Sequence, residues 1–163
     1  MTTYIKKFFL LPYYMVQEIE DAAQYLRECG APREHHLVGR LEILAKPDLY
    51  RFTGTAYFSS DIPSVGDRKD HVNVANSLFA TWNAVHIGAS EYGFEDTRAS
   101  EAPPGFRVRG IIPPDTKLGL EVSLKKLRKM GGRDWFDYES RFSLEGKTLL
   151  VLQGRGSAKK ISW

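Results

Sequence analysis

DHVNVANSLFATWNAVHIG, residues 70–88, is the stretch on which the fold turns. From Val72 to Ile87 it holds no glycine, no proline and no formally charged side chain, and the spacing predicts a helix over about 71–88. At about 100° per residue, Ala75, Leu78, Trp82 and Val85 fall on one face, and Asn73, Asn76, Ala80 and Asn83 on another. A helix this long without charge has no face suited to water, so the rest of the chain must enclose it, with Leu78 and Trp82 nearly inaccessible. Three amides along one stripe then need partners, because an unpaired buried amide costs roughly 1–3 kcal/mol. Each asparagine alone reads as a core amide bonded to neighbouring backbone. Three of them behind a histidine read as one wall of a site.

Outward from the helix, the pattern is mostly β. Residues 59–70 are polar, contain Pro63 and Gly66, and form a loop feeding the helix. Before them, residues 37–45 and 49–58 alternate well enough for two strands, joined at Lys46-Pro47-Asp48 into a hairpin. Residues 4–11 are aromatic and β-prone. Pro12 opens a second helix to about Cys29, with Val16, Ile19, Ala22, Ala23 and Leu26 at helical spacing and Gly30 and Pro32 to end it. After the central helix, residues 91–105 read as a loop rich in Ala, Ser, Glu and Pro. Strands follow at 106–112, 116–130, 133–144 and 147–160, turned by Gly131-Gly132 and Glu145-Gly146. Antiparallel neighbours on short turns make a sheet with one face to cover, and the apolar helix is what covers it. The class is α+β, and a sheet curled around one central helix is the hotdog architecture.

Composition narrows the functional classes. A chain of 163 residues fits a single domain over 1–163, with an extra strand and helix at about 4–29. The net charge of +3 is too small and too dispersed to argue for nucleic-acid binding. Cys29 is the only cysteine, which excludes an internal disulfide and a cysteine-based metal site. Arg33, His35 and His36 share a loop that offers no third metal ligand. A cytoplasmic location is expected. No apolar run approaches the roughly 20 residues of a membrane span, and MTTYIKKFFLLPYYM lacks the small-residue cleavage site of a signal peptide.

His71-Val72-Asn73, set just before an apolar helix, resembles the His-Val-Asn element of hotdog acyl-thioester hydrolases. With Gly54-Thr55-Ala56-Tyr57-Phe58 ahead of it, the run is most similar to the FcoT-type long-chain fatty acyl-CoA thioesterase family. Gly146-Lys147-Thr148-Leu149-Leu150-Val151, followed by Gly154 and Gly156, resembles the last hotdog strand. The order and pattern cover roughly residues 37–158, and about twenty residues carry the likeness closely. Hotdog dehydratases pair a histidine before the helix with an acid on it, whereas no Asp or Glu occurs here from His71 to Ser90. The second helix asparagine of the FcoT type falls at Trp82 in an ungapped comparison, with Asn83 beside it. Tyr13 and Tyr57 are the candidates for that family's tyrosines.

Thioester hydrolysis requires a bound water, a proton acceptor, and donors for the carbonyl oxygen as it gains charge. The first turn of the central helix has unpaired N–H groups and a positive dipole, which places the oxyanion site at Val72, Asn73, Val74 and Ala75. Asn73 could orient the water or the carbonyl, and Asn76 could do the same one turn on. For the base the options are Asp61, Asp67, Asp70 and His71. Asp70 also reads as the helix N-cap, and imidazole suits base work near neutrality. His71 and Asn73 rank first, Asp61 and Asn83 second, with Tyr57 as a substrate contact. His86, on the sheet-packing side, reads as a core histidine. Lys125, Lys126, Arg128, Lys129 and Arg133 form either a charged hairpin tip or a landing site for coenzyme A phosphates or an acidic acyl carrier protein.

The chain therefore reads as a thioesterase on acyl-CoA or acyl-carrier-protein thioesters, acting without cofactor or metal and as a homodimer or higher oligomer. The alternatives are a hotdog dehydratase, isomerase or addition enzyme on carrier-bound acyl groups, and a non-catalytic acyl-binding protein.

Overall fold

The computed structural model describes residues 8–11, 14–19, 41–46, 49–60, 70–91 and 93–160. In chain order the elements are β1 (Phe8–Leu11), β2 (Tyr14–Ile19), β3 (Leu41–Lys46), β4 (Leu49–Tyr57), α1 (Val74–Glu91), β5 (Phe94–Arg98), β6 (Gly105–Val108), β7 (Lys117–Met130), β8 (Arg133–Leu144) and β9 (Lys147–Lys160). They form one antiparallel sheet in the order β1-β2-β3-β4-β7-β8-β9-β5, with β6 also paired to β9. The sheet curls around α1, giving an α+β architecture in which the helix touches β4, β5, β7 and β9.

Alternation in β8 explains which face meets the helix. Phe136, Tyr138, Ser140 and Phe142 are buried under α1, while Trp135, Asp137, Glu139 and Arg141 point the other way. Phe142 packs at 6.1 Å from Phe58, which closes the core at the end of β4. The turn between β7 and β8 uses the residues that its geometry demands. Gly131 and Gly132 have φ of 60° and 73°, a backbone that side chains other than glycine rarely adopt. In the register of β8 with β9, Tyr138 lies opposite Gly154 and Phe136 opposite Gly156. A Cβ at Gly154 would run into the Tyr138 ring, and one at Gly156 into Phe136. The two glycines are the floor on which these aromatic rings lie.

Three expectations need correction. Residues 14–19 are a strand, not part of a helix opening at Pro12. β2 bonds to β1 on one edge and to β3 on the other, from Met15↔Ala45 to Ile19↔Leu41. Tyr14, Val16 and Ile19 are strand formers, and two neighbouring strands satisfy the segment's backbone on both sides, which outweighs a short helix-like spacing. The rest of the 4–29 segment lies outside the described residues. The loop expected at 91–105 is interrupted by β5, whose sequence FEDTR lacks apolar alternation. It is held by backbone pairing with β9 and by Arg133, whose Nη1 lies 2.5 Å from Asp96 Oδ2, and a register shift between Glu95 and Arg98 further hides the pattern. That guanidinium also keeps the Asp96 carboxyl below the usual carboxylate range.

The third correction concerns the faces of α1. Asn76, Ser77, Ala80, Thr81, Asn83, Ala84, Val85 and Ala89 are each at most 2% exposed, and Gly88 is buried with them. Small and amide side chains, not the bulky ones, face the sheet, because they let the helix axis come close to it. Leu78 and Trp82 are only partly buried, although both pack on the core. Ala75 is exposed.

Candidate active site

At the helix start, the chain is fixed by its own polar groups. The Val72 N–H donates to Ile112 O at 2.8 Å, which ties the residue before the helix to the segment leading into β7. Asn73 is the N-cap: its Oδ1 accepts from the Ala75 N–H at 2.9 Å and its carbonyl from the Asn76 N–H at 3.0 Å. Asp70, expected in that role, instead lies 3.0 Å from His71 Nδ1. Asp70 is largely exposed and His71 about one-third exposed, so the pair sits at the surface beside the cap. With the Asn73 oxygen committed to Ala75, the Val74 N–H has no partner among the described residues.

The neighbouring loop carries a carboxylate that the sequence did not single out. Asp115 Oδ1 accepts from the Ser60 N–H at 2.9 Å and from the Tyr57 hydroxyl at 3.3 Å, while its own N–H donates to Phe58 O. Hydrogen bonds from Ser60 and Tyr57 hold its carboxyl below the usual range. Asp115 has φ of 56°, so this turn is shaped around the contact. No motif marks it; only the meeting of the β4 end with the loop before β7 reveals it. Tyr57 is thus a clamp between the two segments that flank the helix start.

The remaining site candidates lie elsewhere. Asp61 and Asp67 are outside the described residues. Val72 and Asn76 are buried, and Val74 is partly buried. Asn83 is nine residues on from Val74, roughly 14 Å along the helix axis. It lines an open hollow of about 360 Å3 with Trp82 and His86, with residues 97–101 along its other side. His86, expected in the sheet-facing core, is half-buried in that wall, and burial pushes its pKa down. The Trp82 indole N–H donates to the Tyr138 hydroxyl at 3.0 Å, and burial raises the Tyr138 phenol.

Elsewhere the polar surface is largely committed to itself. A larger hollow of about 670 Å3 lies on the sheet face away from the helix, lined by Lys125, Asp137, Glu139, Gln153 and Arg155 among others. Its carboxylates are already engaged, with Arg155 Nε 2.8 Å from Asp137 and Gln153 Nε2 2.6 Å from Glu139, which also pairs with Arg141. At the β7–β8 tip, Arg133 is taken by Asp96 and Ser157, and Lys126 by Asp134 at 3.2 Å. Lys125, Arg128 and Lys129 stay exposed there without an ion pair among the described residues. No cluster of three His, Cys, Asp or Glu suited to a metal occurs among the described residues. No described helix is long and apolar enough to cross a membrane.

No protein-family model matches the chain, and no curated protein matches it by sequence. Solved structures do. The proposed thioesterase yhdA of Lactococcus lactis superposes with a TM-score of 0.53 at 10% identity, over 75% of this chain and 91% of that one. A proposed thioesterase of Shewanella oneidensis follows with a TM-score of 0.48 at 10% identity, over 85% and 94%. A hypothetical thioesterase of Streptococcus pneumoniae, solved with coenzyme A, gives 0.48 at 10% identity, over 76% and 88%. At such identities the likeness to yhdA is one of fold, and it agrees with the curled sheet around one helix.

Proposed function

We propose that the chain is a hotdog acyl-thioester hydrolase, of the FcoT type by resemblance, that works at the start of α1. The observation that carries this reading is the arrangement at residues 70–74. A helix-start N–H at Val74 has no partner among the described residues after capping, and an imidazole paired with a carboxylate stands three residues before it. The cap orients the Asn73 amide, since an oxygen held by the Ala75 N–H turns the amide NH2 outward as a donor. The thioester carbonyl oxygen lies between that NH2 and the Val74 N–H, at the positive end of the helix dipole. With Nδ1–H donating to Asp70, His71 presents Nε2 as a proton acceptor.

In the reaction, water attacks the carbonyl carbon and loses its proton to His71 Nε2. The tetrahedral oxyanion is held by the two donors. The carbon–sulfur bond then breaks, and the thiolate leaves as a thiol with the proton returned from His71. Asp61 remains the alternative acceptor. Asn83 is too far along the helix to share the reacting carbonyl with Asn73 and contributes to binding of the chain instead.

The substrate is an acyl-CoA or acyl-carrier thioester, with Lys125, Arg128 and Lys129, exposed and without an ion pair among the described residues, as the cations for its phosphates or acidic surface. The protein works as a dimer. All four residues of β6 are exposed, Phe106, Val108 and Ile111 are 64%, 57% and 66% accessible, and β6 pairs only with β9 among the described residues. A second copy pairing along β6 covers that edge and continues the sheet. Incubation with a panel of acyl-CoA and acyl-carrier thioesters, following free thiol and product mass together, tests the function. Hydrolysis yields thiol and acid in equal amounts. A product that keeps its thioester bond would mean a lyase or isomerase, and binding without turnover an acyl-binding protein.

A further inference from the structure

Lys125 to Gly132 is an unbroken run of exposed residues at the β7–β8 tip. β4 accompanies β7 only as far as Leu49↔Lys125, and β9 accompanies β8 only as far as Asp134↔Ala158. Past those pairs the two strands have only each other among the described strands, so the hairpin projects from the sheet. It reads KKLRKMGG, with four cations and no acid. Two large apolar side chains stand among the cations, Leu127 at 41% and Met130 at 45% exposure. Residues opposite one another across a hairpin share a face. Arg128 lies opposite the part-buried Trp135 and Lys129 opposite Asp134, so cations occupy both faces. The Trp135 indole N–H donates to the Met130 carbonyl at 3.4 Å, which sets an amphipathic ring beside the tip.

We propose that this tip docks on an anionic lipid surface. Leu127 and Met130 enter the headgroup layer, and Lys125, Arg128 and Lys129 meet lipid phosphates and carboxylates around them. The inference goes beyond the hydrolase reading and does not depend on it. That reading gives the same three cations to the anionic groups of coenzyme A or a carrier protein. A bilayer offers the same anionic chemistry, and the two apolar side chains decide between the sources. The phosphates of a free cofactor leave Leu127 and Met130 in water, whereas a headgroup layer takes them in together with the cations. A projecting tip presents no groove to a folded partner, but a fluid interface closes around it. Trp135 suits that depth, because its ring is apolar and its N–H polar.

Co-sedimentation of the full chain with lipid vesicles tests this, comparing phosphatidylcholine alone with phosphatidylcholine containing about one-third phosphatidylserine. The chain should pellet with the anionic vesicles and stay in solution with the neutral ones, and salt at about 1 M should release it. Leu127→Gln combined with Met130→Gln keeps every charge and should weaken vesicle binding at least about tenfold. Glutamine at Lys125, Arg128 and Lys129 together should weaken it about 100-fold, about fivefold for each cation. All five positions are exposed, so neither set should disturb the fold, and the wild-type comparison decides by itself if one does. Failure to pellet with anionic vesicles overturns the proposal. So does undiminished binding by the Leu127 and Met130 double variant, which would make the tip a patch of charge alone. A chain that ignores vesicles but binds coenzyme A or an acidic carrier protein through the three cations also overturns it, and leaves the hydrolase reading intact. Vesicle binding by a chain that hydrolyses no thioester would sustain the docking and sink the hydrolase reading.

Discussion

The two halves of α1 treat their polar groups in opposite ways. At the start, Asp70, His71 and Asn73 are wholly or partly exposed, and each bonds to an immediate chain neighbour. In the middle, Asn76, Ser77, Thr81 and Asn83 are at most 2% exposed and lie against the sheet. A polar group in water can be removed at small cost to folding, so the start is free to be shaped by chemistry. A polar group in the core must be satisfied or it destabilises the fold by about 1–3 kcal/mol. The middle of the helix is therefore where structure constrains sequence, and the start is where we propose that function does.

Substitutions at the two places should separate these roles. The largest structural effect is expected from Gly154→Ala, which drives a methyl into the Tyr138 ring and pulls its hydroxyl from the Trp82 indole. Overpacking of this kind costs about 1–3 kcal/mol, read as a drop in denaturant midpoint. Next comes Thr81, whose hydroxyl donates to Ser77 O and lies 2.7 Å from the Ser140 hydroxyl. Thr81→Ala strands Ser140 and should cost about 1–2 kcal/mol. Ser77→Ala is the control, because the Ser77 hydroxyl is fully buried with no hydrogen-bond partner among the described residues, and its loss should change stability by less than about 0.5 kcal/mol or raise it.

The smallest effect is a pH slope. Burial lowers the His86 pKa below its ordinary 6.5, so the folded state resists protonation more than the unfolded chain does. Stability present above pH 6.5 should decline as pH falls below that value toward the folded pKa. His86→Phe should flatten that part of the stability profile, as followed by chemical unfolding at a series of pH values.

Much of this division was legible in the sequence. The helix, the pairing of β3 with β4 and the strands from 116 onward follow from periodicity and turn-forming residues, which local chemistry determines. The sheet-facing side of α1 was not legible. Sequence hydrophobicity points Leu78 and Trp82 inward, whereas close packing against a curled sheet selects Ala80, Ala84, Thr81 and the asparagines. β2 and β5 escaped for a related reason: their pairing is set by neighbours distant in the chain, and for β5 by a single arginine. At the site, His71 and Asn73 stand out by motif, but the cap at Asn73 and the Asp115 clamp on Tyr57 are tertiary facts.

Asn73 is where structure and chemistry overlap, and one comparison separates them. Serine is as good an N-cap as asparagine, so Asn73→Ser keeps the bond to the Ala75 N–H while removing the amide NH2. The decisive measurement is kcat/KM for thioester hydrolysis by Asn73→Ser and His71→Ala, with unfolding midpoints taken on the same samples. We predict midpoints close to wild type and a loss in kcat/KM of at least about 10²-fold for each. Near-wild-type hydrolysis by both variants would contradict a reacting centre at the start of α1.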